Sequence, residues 1–169
     1  MNRRIKKSHL LISLFLFLIL VNCGKDSHDG NPNHGFDFNL PDLDGKIHSM
    51  KDFRGQILVL NFWATWCPPC SEEVPKLNDI FDRYKNNGVQ VIGIALDKDS
   101  LELVAPFVEK NKIAYPILVG NQQVLTNLKK FKGVPTTILF DQEGKNRKRF
   151  DGSFDLEQLE EGLQSLLED

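Results

Sequence analysis

One short apolar segment constrains the fold of this chain more than any other feature. Residues 57–63 are apolar at every position except Asn61. A strand of this kind must be covered on both faces, which is typical of the interior of a parallel sheet. Residues 89–96 form a second such run, and between the two runs the apolar positions of residues 70–87 recur at spacings of three and four. This order of strand, helix and strand predicts an α/β fold with residues 57–63 as its central strand.

Further strands and helices are predicted on both sides of this unit. Residues 36–40 and 47–50 alternate in polarity around an Asp-Gly turn, which predicts an N-terminal β-hairpin. The other predicted elements are helices over 101–111 (interrupted by Pro106), 124–131 and 155–167, and strands over 116–119, 136–140 and 146–150. The resulting order, βββαβαβαββα, predicts an α/β/α sandwich around a mixed central sheet.

The first residues have the order of charges and apolar side chains that is typical of an export signal. Four basic residues precede an apolar run over 10–21. A helix of that length reaches about 18 Å, which is less than the roughly 30 Å of a bilayer core. The run ends at Asn22 and Cys23, a sequence that resembles the lipobox of bacterial lipoproteins, although Gly, Ala or Ser normally precedes the cysteine. We therefore expect a signal peptide over 1–22 and a lipidated Cys23, with an ordinary cleaved signal or an uncleaved anchor as alternatives.

The segment that follows is predicted to be a tether. Residues 24–35 contain no aliphatic or aromatic side chain, and they include His28 and His34, for which solvation is more usual than metal binding. Residues 23–35 are therefore expected to connect a membrane anchor to a folded domain over 36–169. In each version of the N-terminus this domain lies outside the cytoplasm, on the periplasmic side of the membrane.

The charge of the chain argues against a nucleic-acid partner. The formal net charge is −2, and four of the 21 basic residues lie within the predicted signal, so the folded domain is more acidic than the whole chain. Within the predicted folded domain a short basic run lies over 145–149, where a solvated edge strand explains it.

Two of the three cysteines are placed for chemistry. Cys67 and Cys70 lie where the central strand passes into the following helix, and a helix N-terminus stabilises a thiolate and lowers its pKa. If Cys67 is the N-cap, Pro68 and Pro69 occupy the first two helical positions, and only the Cys70 N–H remains to bond the Cys67 sulfur. We expect an exposed Cys67 to attack a substrate disulfide, and Cys70, inside the first turn, to resolve the mixed disulfide.

Two other uses of the Cys-x-x-Cys pair are a zinc half-site and a pair of structural thiols. Tetrahedral zinc needs four ligands, and the chain has no second Cys or His pair at ligand spacing, because Cys23 lies in the tether and His48 stands alone. Redox exchange is therefore favoured, with no metal and no cofactor apart from a redox-active Cys67–Cys70 disulfide.

Two motifs carry a family resemblance. The sequence NFWATWCPPC over residues 61–70, with GVPTT over 133–137, resembles the thioredoxin superfamily, and most closely its extracytoplasmic TlpA/ResA-like thiol-disulfide oxidoreductases. The resemblance covers residues 36–168 and implies a thioredoxin fold with a cis peptide bond before Pro135. The backbone of Val134 would then pair with an extended substrate segment, and Trp66 would belong to the docking surface.

The same resemblance singles out a carboxylate. Asn61 departs from cytosolic thioredoxin, which usually has a buried aspartate at the matching position, and an amide cannot titrate. The TlpA/ResA-like branch has a glutamate in a Cys-x-x-Glu-x-Pro pattern, which Cys70, Glu73 and Pro75 match. We expect Glu73 to accept a proton and to modulate the pKa of the thiols, whereas a surface carboxylate near a helix start is the alternative, which suits Glu72 better.

The sequence therefore predicts a membrane-tethered enzyme that exchanges disulfides with extracytoplasmic proteins. A reducing role, recharged by a membrane thiol donor, is expected, and an oxidising role is the alternative because the cysteine spacing does not fix the reduction potential. The resemblance implies cytochrome c maturation or a related thiol-reducing task. A peroxidase of the peroxiredoxin type is one alternative, although Ala64 and Leu60 stand where that family has threonine and proline. A copper-binding chaperone is another, if His48 supplies a third ligand.

Overall fold

The computed structural model describes residues 36–98, 100–128 and 130–168, and these contain the predicted succession of elements. In chain order they are β1 (Asn39–Pro41), β2 (Ile47–Ser49), a 3-10 turn (Met50–Phe53), β3 (Ile57–Trp63), α1 (Pro68–Tyr84), β4 (Val89–Ala95), α2 (Ser100–Lys110), β5 (Ile117–Val119), α3 (Gln122–Asn127), β6 (Thr136–Phe140), β7 (Asn146–Asp151) and α4 (Leu156–Glu168). The order βββαβαβαββα is confirmed. The predicted signal peptide, Cys23 and the tether lie outside the described residues and stay predictions.

The main sheet has five strands in the order β5-β4-β3-β6-β7, with β3 at its centre. Strand β3 pairs in parallel with β4 and antiparallel with β6, so the sheet is mixed as predicted. The β1–β2 hairpin forms a separate two-stranded sheet, and an isolated bridge joins Asp42 at its turn to Leu118 of β5. Among the helices of the described ranges, none has the length and apolar character needed to cross a membrane.

Apolar side chains cover both faces of β3, as the continuous apolar run predicts. One face, which includes Val59 and Trp63, packs against α1, α2 and α4 in a single buried cluster. The other face, which includes Leu58 and Phe62, packs against α3 and against the segment that leads into β1. As a result, all seven residues of the central strand are buried.

The structure corrects several predicted boundaries. Phe36 and Phe38 precede β1 and fill the second core cluster instead of pairing in the hairpin, which is therefore shorter than predicted. Helix α2 continues through Pro106, where an interruption was expected. Helix α3 starts earlier than predicted, at Gln122, because the side chain of Asn121 caps it by accepting the N–H of Val124 at 3.0 Å, and it ends at Asn127. The sequence analysis also missed the 3-10 turn after β2.

One glycine in the sheet makes room for the buried side chains beside the active site. A Cβ added to Gly93 of β4 would lie 2.6 Å from Ile117 Cδ1 and 2.9 Å from the indole nitrogen of Trp63. The absence of a side chain at Gly93 therefore leaves room for the Trp63 indole in the core, where it also contacts the ring of Phe107 with centroids 5.1 Å apart.

Candidate active site

Cys67 and Cys70 form a disulfide at the N-terminus of α1. Cys67 is the N-cap residue, Pro68 and Pro69 follow it at the start of the helix, and the Cys67 sulfur accepts the Cys70 N–H at 3.3 Å. This geometry confirms the capping arrangement predicted from the sequence. Because a proline has no N–H, the Cys70 amide is the only donor of the first three helical residues that bonds this sulfur.

The predicted difference in exposure between the two cysteines is wrong for the disulfide form. Cys67 and Cys70 are each only 4% exposed, and both belong to the core cluster of β3 and α1. The reason is that the N-cap bond and the disulfide direct the Cys67 sulfur toward the helix and away from solvent. The exposed residues are its neighbours in sequence, among which Trp66 is 69% exposed.

Glu73 lies inside the protein and not on the helix surface. Its side chain is 1% exposed, whereas the neighbouring Glu72 is exposed. One carboxyl oxygen accepts the backbone N–H of Phe154 at 3.1 Å, and the other accepts Nδ2 of Asn61 at 3.2 Å. Burial raises the pKa of Glu73 to about 7, against the opposing effects of these two hydrogen bonds and the charge of Lys76. A carboxyl group with this pKa can exchange protons at neutral pH, as a proton acceptor must.

Asn61 connects Glu73 to the neighbouring strand. Its Nδ2 donates both to Glu73 and to Oγ1 of Thr137, at 2.9 Å, and Thr137 is the residue opposite Asn61 in the β3–β6 ladder. The amide that replaces the usual thioredoxin aspartate therefore orients the carboxyl group supplied by α1. Tyr115 lies in the same buried region, and burial together with the Glu73 charge raises its pKa.

The second predicted motif forms the loop before β6. The Val134–Pro135 peptide bond is cis, as the resemblance implied. Val134 is half-buried and packs against the core cluster that contains both cysteines. Within the described part of the chain, neither its N–H nor its carbonyl has a hydrogen-bond partner, whereas the Pro135 carbonyl accepts the Gly152 N–H at 2.9 Å.

The sequence analysis missed Asp97, a buried carboxylate beneath the loop that precedes the cysteines. Its oxygens accept the Thr65 N–H at 3.1 and 3.2 Å and the Thr65 hydroxyl at 2.6 Å. Asp97 is only 3% exposed. One signal was available, because Asp97 and Thr65 follow two strands predicted to be parallel and adjacent, and the carboxyl ends of such strands lie at the same edge.

His48 is part of the hairpin. Its Nε2 lies 2.8 Å from Oδ2 of Asp42, and its ring stacks on Phe53 with centroids 6.4 Å apart. Over the described ranges, no group of three or more His, Cys, Asp or Glu residues is arranged to hold a metal ion.

A disulfide at a helix N-terminus, a buried carboxyl group on that helix and a cis-proline loop, all on a mixed five-stranded sheet, define a thiol-disulfide oxidoreductase of the thioredoxin-like class. The AhpC/TSA family model matches residues 33–149, and the chain belongs to this family.

Curated relatives and solved structures agree with this class. The chain is 35% identical to the thiol-disulfide oxidoreductase ResA of Geobacillus thermodenitrificans over 77% of its length and 74% of the relative. It is 33% identical to ResA of Bacillus thuringiensis subsp. konkukian over 95% of its length and 98% of the relative. The structure of StoA from Bacillus subtilis superposes with a TM-score of 0.64 at 27% identity, over 75% of this chain and 96% of StoA. The thioredoxin domain of a thiol-disulfide oxidoreductase from Bacteroides vulgatus superposes with a TM-score of 0.68 at 26% identity, over 75% of this chain and 92% of that domain. The chain is therefore a thiol-disulfide oxidoreductase of protein substrates.

Proposed function

We propose that this enzyme is a membrane-tethered, extracytoplasmic reductant of protein disulfides. The observation that carries the proposal is the small number of hydrogen-bond donors at the Cys67 sulfur, to which only the Cys70 N–H is directed among the first helical residues. The reduction potential of a Cys-x-x-Cys pair rises when the protein stabilises its thiolate. A site with few donors, and with an ionisable carboxyl group buried on the same helix, stabilises the thiolate weakly and favours the disulfide. The reduced enzyme is then a ready donor of electrons.

The reaction needs only the two thiols and a proton acceptor. The Cys67 thiolate attacks one sulfur of the substrate disulfide, forms a mixed disulfide and releases the first substrate thiolate. Cys70 then loses its proton and attacks the Cys67 sulfur, which releases the second substrate thiolate and leaves the Cys67–Cys70 disulfide. Two electrons pass to the substrate, and its two thiolates take up two protons. Glu73 accepts the Cys70 proton, a role that its pKa of about 7 supports.

Substrate binds along the loop before β6. The unpaired N–H and carbonyl of Val134 pair with an extended substrate segment as an added strand, next to Pro135. The exposed indole of Trp66, next to Cys67 in the sequence, supplies an apolar contact for the substrate.

The N-terminal sequence supports the proposed location. The basic and apolar residues of 1–22 export the chain, and lipidation of Cys23 then anchors the domain through the 23–35 tether. A membrane thiol donor reduces the Cys67–Cys70 disulfide after each turnover. Apocytochrome c, whose haem-binding cysteines must be reduced before maturation, is the proposed client, or a protein with a related requirement for thiols.

Reduction of insulin disulfides and the reduction potential of the cysteine pair test this function. We expect the reduced enzyme to reduce insulin, Cys67→Ser to abolish the activity, and Cys70→Ser to trap a mixed disulfide. The expected potential is close to or below that of thioredoxin, about −270 mV. A potential near −120 mV, as in a strong oxidant, would contradict the reducing role. Consumption of hydrogen peroxide without any protein disulfide exchange would instead favour the peroxidase.

The proposed anchor has its own test. Expressed with its signal, the wild-type chain is expected in the membrane fraction, and Cys23→Ser is expected to be released from it. Cys70→Ser serves as the matched control, since it also removes one thiol but leaves the lipidation site intact. Equal membrane association of the wild type and Cys23→Ser would contradict lipidation.

A further inference from the structure

The loop that carries the proposed substrate-binding edge has little regular structure of its own. Lys130 adopts a left-handed conformation, with φ +58°, and Gly133 has φ +144°. Residues other than glycine rarely adopt the left-handed conformation that Lys130 has here. Near this loop the Phe131 N–H bonds the Leu128 carbonyl at 3.3 Å, and the Thr136 hydroxyl bonds the Gly133 carbonyl at 2.7 Å. The Phe131 ring also contacts Phe62, with centroids 6.2 Å apart. Contacts from outside the loop must therefore contribute to holding it in place.

Polar contacts to the loop come from the end of β7. The guanidinium of Arg149 donates through Nη2 to the Lys130 carbonyl at 3.1 Å and through Nε to Oδ1 of Asp151 at 2.7 Å. The second carboxyl oxygen of Asp151 lies 3.2 Å from Nζ of Lys132. Arg149 thus bonds the start of the loop, and Asp151 bonds its middle.

The position of Asp151 suits this task. In the β6–β7 ladder Asp151 is paired with Thr136, the residue directly after Pro135, and the following Gly152 donates its N–H to the Pro135 carbonyl. The side chains of Arg149 and Asp151 are 20% and 28% exposed, so their mutual bond is partly withdrawn from solvent. Charge-assisted hydrogen bonds that are partly buried hold geometry better than exposed ion pairs.

We propose that Arg149 and Asp151 are positioning residues for protein substrates: they fix the 130–135 loop so that the free backbone edge of Val134 is presented in the conformation that an added strand requires. This inference rests on the proposed function. It assigns a positioning role to two charged residues of β7 that do not contact the reacting sulfurs. Because a small disulfide reagent needs no backbone edge, the two residues affect protein substrates selectively.

The chain offers a matched control on the same strand. Arg147 has the same side chain and charge, but its Nη1 pairs with Asp141 at 3.1 Å, in the turn at the other end of β7. Arg149→Met and Arg147→Met therefore remove equal charge from the same strand, but the bond to the Lys130 carbonyl is lost in the first. A loss that follows charge alone would appear in both variants.

The test measures the KM and kcat of the reduced enzyme for insulin, and the rate constant of its reaction with DTNB. We expect Arg149→Met and Asp151→Ala each to raise the KM for insulin about tenfold, equivalent to about 1.4 kcal/mol of binding. We expect the DTNB rate constant and kcat to stay within about twofold of wild type. Arg149→Lys should recover part of the loss, because an ammonium group can bond the Lys130 carbonyl or Asp151 but lacks the fork that bonds both. The double variant should lose little more than each single variant, since both belong to one network.

Several outcomes would overturn the inference. The inference fails if the KM for insulin is unchanged in both Arg149→Met and Asp151→Ala. It also fails if the KM rises equally in Arg147→Met, or if the variants lose DTNB reactivity in parallel with the change in KM. These results are separable from failure of the proposed function, in which the wild-type enzyme itself fails to reduce insulin although its thiols react with DTNB.

Discussion

Replacement of Glu73 by Gln removes a titrating group from the interior while keeping the shape of the side chain. Burial raises the pKa of Glu73 from 4.5 to about 7 in the folded protein. Each pKa unit is worth about 1.4 kcal/mol, so the folded state disfavours the ionised carboxylate by about 3 kcal/mol relative to the unfolded chain. The folded protein holds more protons than the unfolded chain between these two pKa values. The free energy of unfolding must therefore fall as the pH rises from about 4.5 to about 7.

The measurement is urea unfolding of the oxidised proteins from pH 4 to pH 8, in which the disulfide is kept in both states. We expect the stability of Glu73→Gln relative to wild type to increase by about 3 kcal/mol over this range, since the variant lacks the titration. Any constant loss from weaker bonds to Phe154 and Asn61 displaces the whole curve without changing its slope. Glu72→Gln is the matched control, because it removes the same charge from an exposed neighbour on the same helix.

Parallel curves for wild type and Glu73→Gln would refute the reasoning, because a carboxyl group that ionises normally in the interior contributes no slope between pH 5 and pH 7. The same variant has a second readout in the reduced protein. An ionised Glu73 disfavours a nearby thiolate, so Glu73→Gln should move the pH profile of cysteine alkylation to lower pH. An unchanged alkylation profile would remove Glu73 from the proposed proton transfer.

Three further predictions concern the capping turn, the loop before it and the sheet. Pro69→Ala restores one N–H at the helix start, so the pKa of the Cys67 thiol should fall and the reduction potential rise by about 30 mV, measured against glutathione; an unchanged potential would contradict the donor argument. Asp97→Asn weakens the acceptors for Thr65 and should lower the free energy of unfolding by about 1 to 2 kcal/mol. An Asp97→Asn variant as stable as the wild type would show that the bonds between Asp97 and Thr65 are dispensable. Gly93→Ala places a Cβ 2.6 Å from a core carbon and should cost about 1 to 3 kcal/mol in urea unfolding, whereas a neutral effect would show that the core relaxes freely.

The fold was largely predictable because its elements are strongly patterned. The apolar runs of β3 and β4 and the helical stripe of α1 each have one consistent periodicity, and all three formed as expected. The failures have local physical causes. Phe36 and Phe38 alternate with polar residues as a strand would, but their rings gain more by filling the second core cluster than by pairing in a hairpin.

The active site was predictable to the extent that its residues are close in sequence. The N-cap bond of Cys67 follows from the order of cysteine and proline alone, and the structure contains it. The exposure of Cys67 does not follow, because exposure depends on what surrounds the helix start. The bond between Glu73 and the Phe154 amide joins α1 to the segment before α4, and no periodicity in either segment indicates it. Such contacts between distant segments bury the carboxyl group and thereby determine its pKa.

The direction of the strands explains why distant motifs meet. Strands β3 and β4 are parallel, so the loops that follow them, with Thr65 and Asp97, lie at one edge of the sheet. Strand β6 is antiparallel to β3, so the loop before it, with Pro135, reaches that same edge. Strand β7 is antiparallel to β6, and it is therefore the end of β7, at Asp151, that arrives beside this loop. A motif that follows one strand and a motif that precedes another can share a site only if those strands are antiparallel, so the mixed sheet is a requirement of the site. Its reversed strand also makes the end of β7 the natural support for the substrate-binding loop.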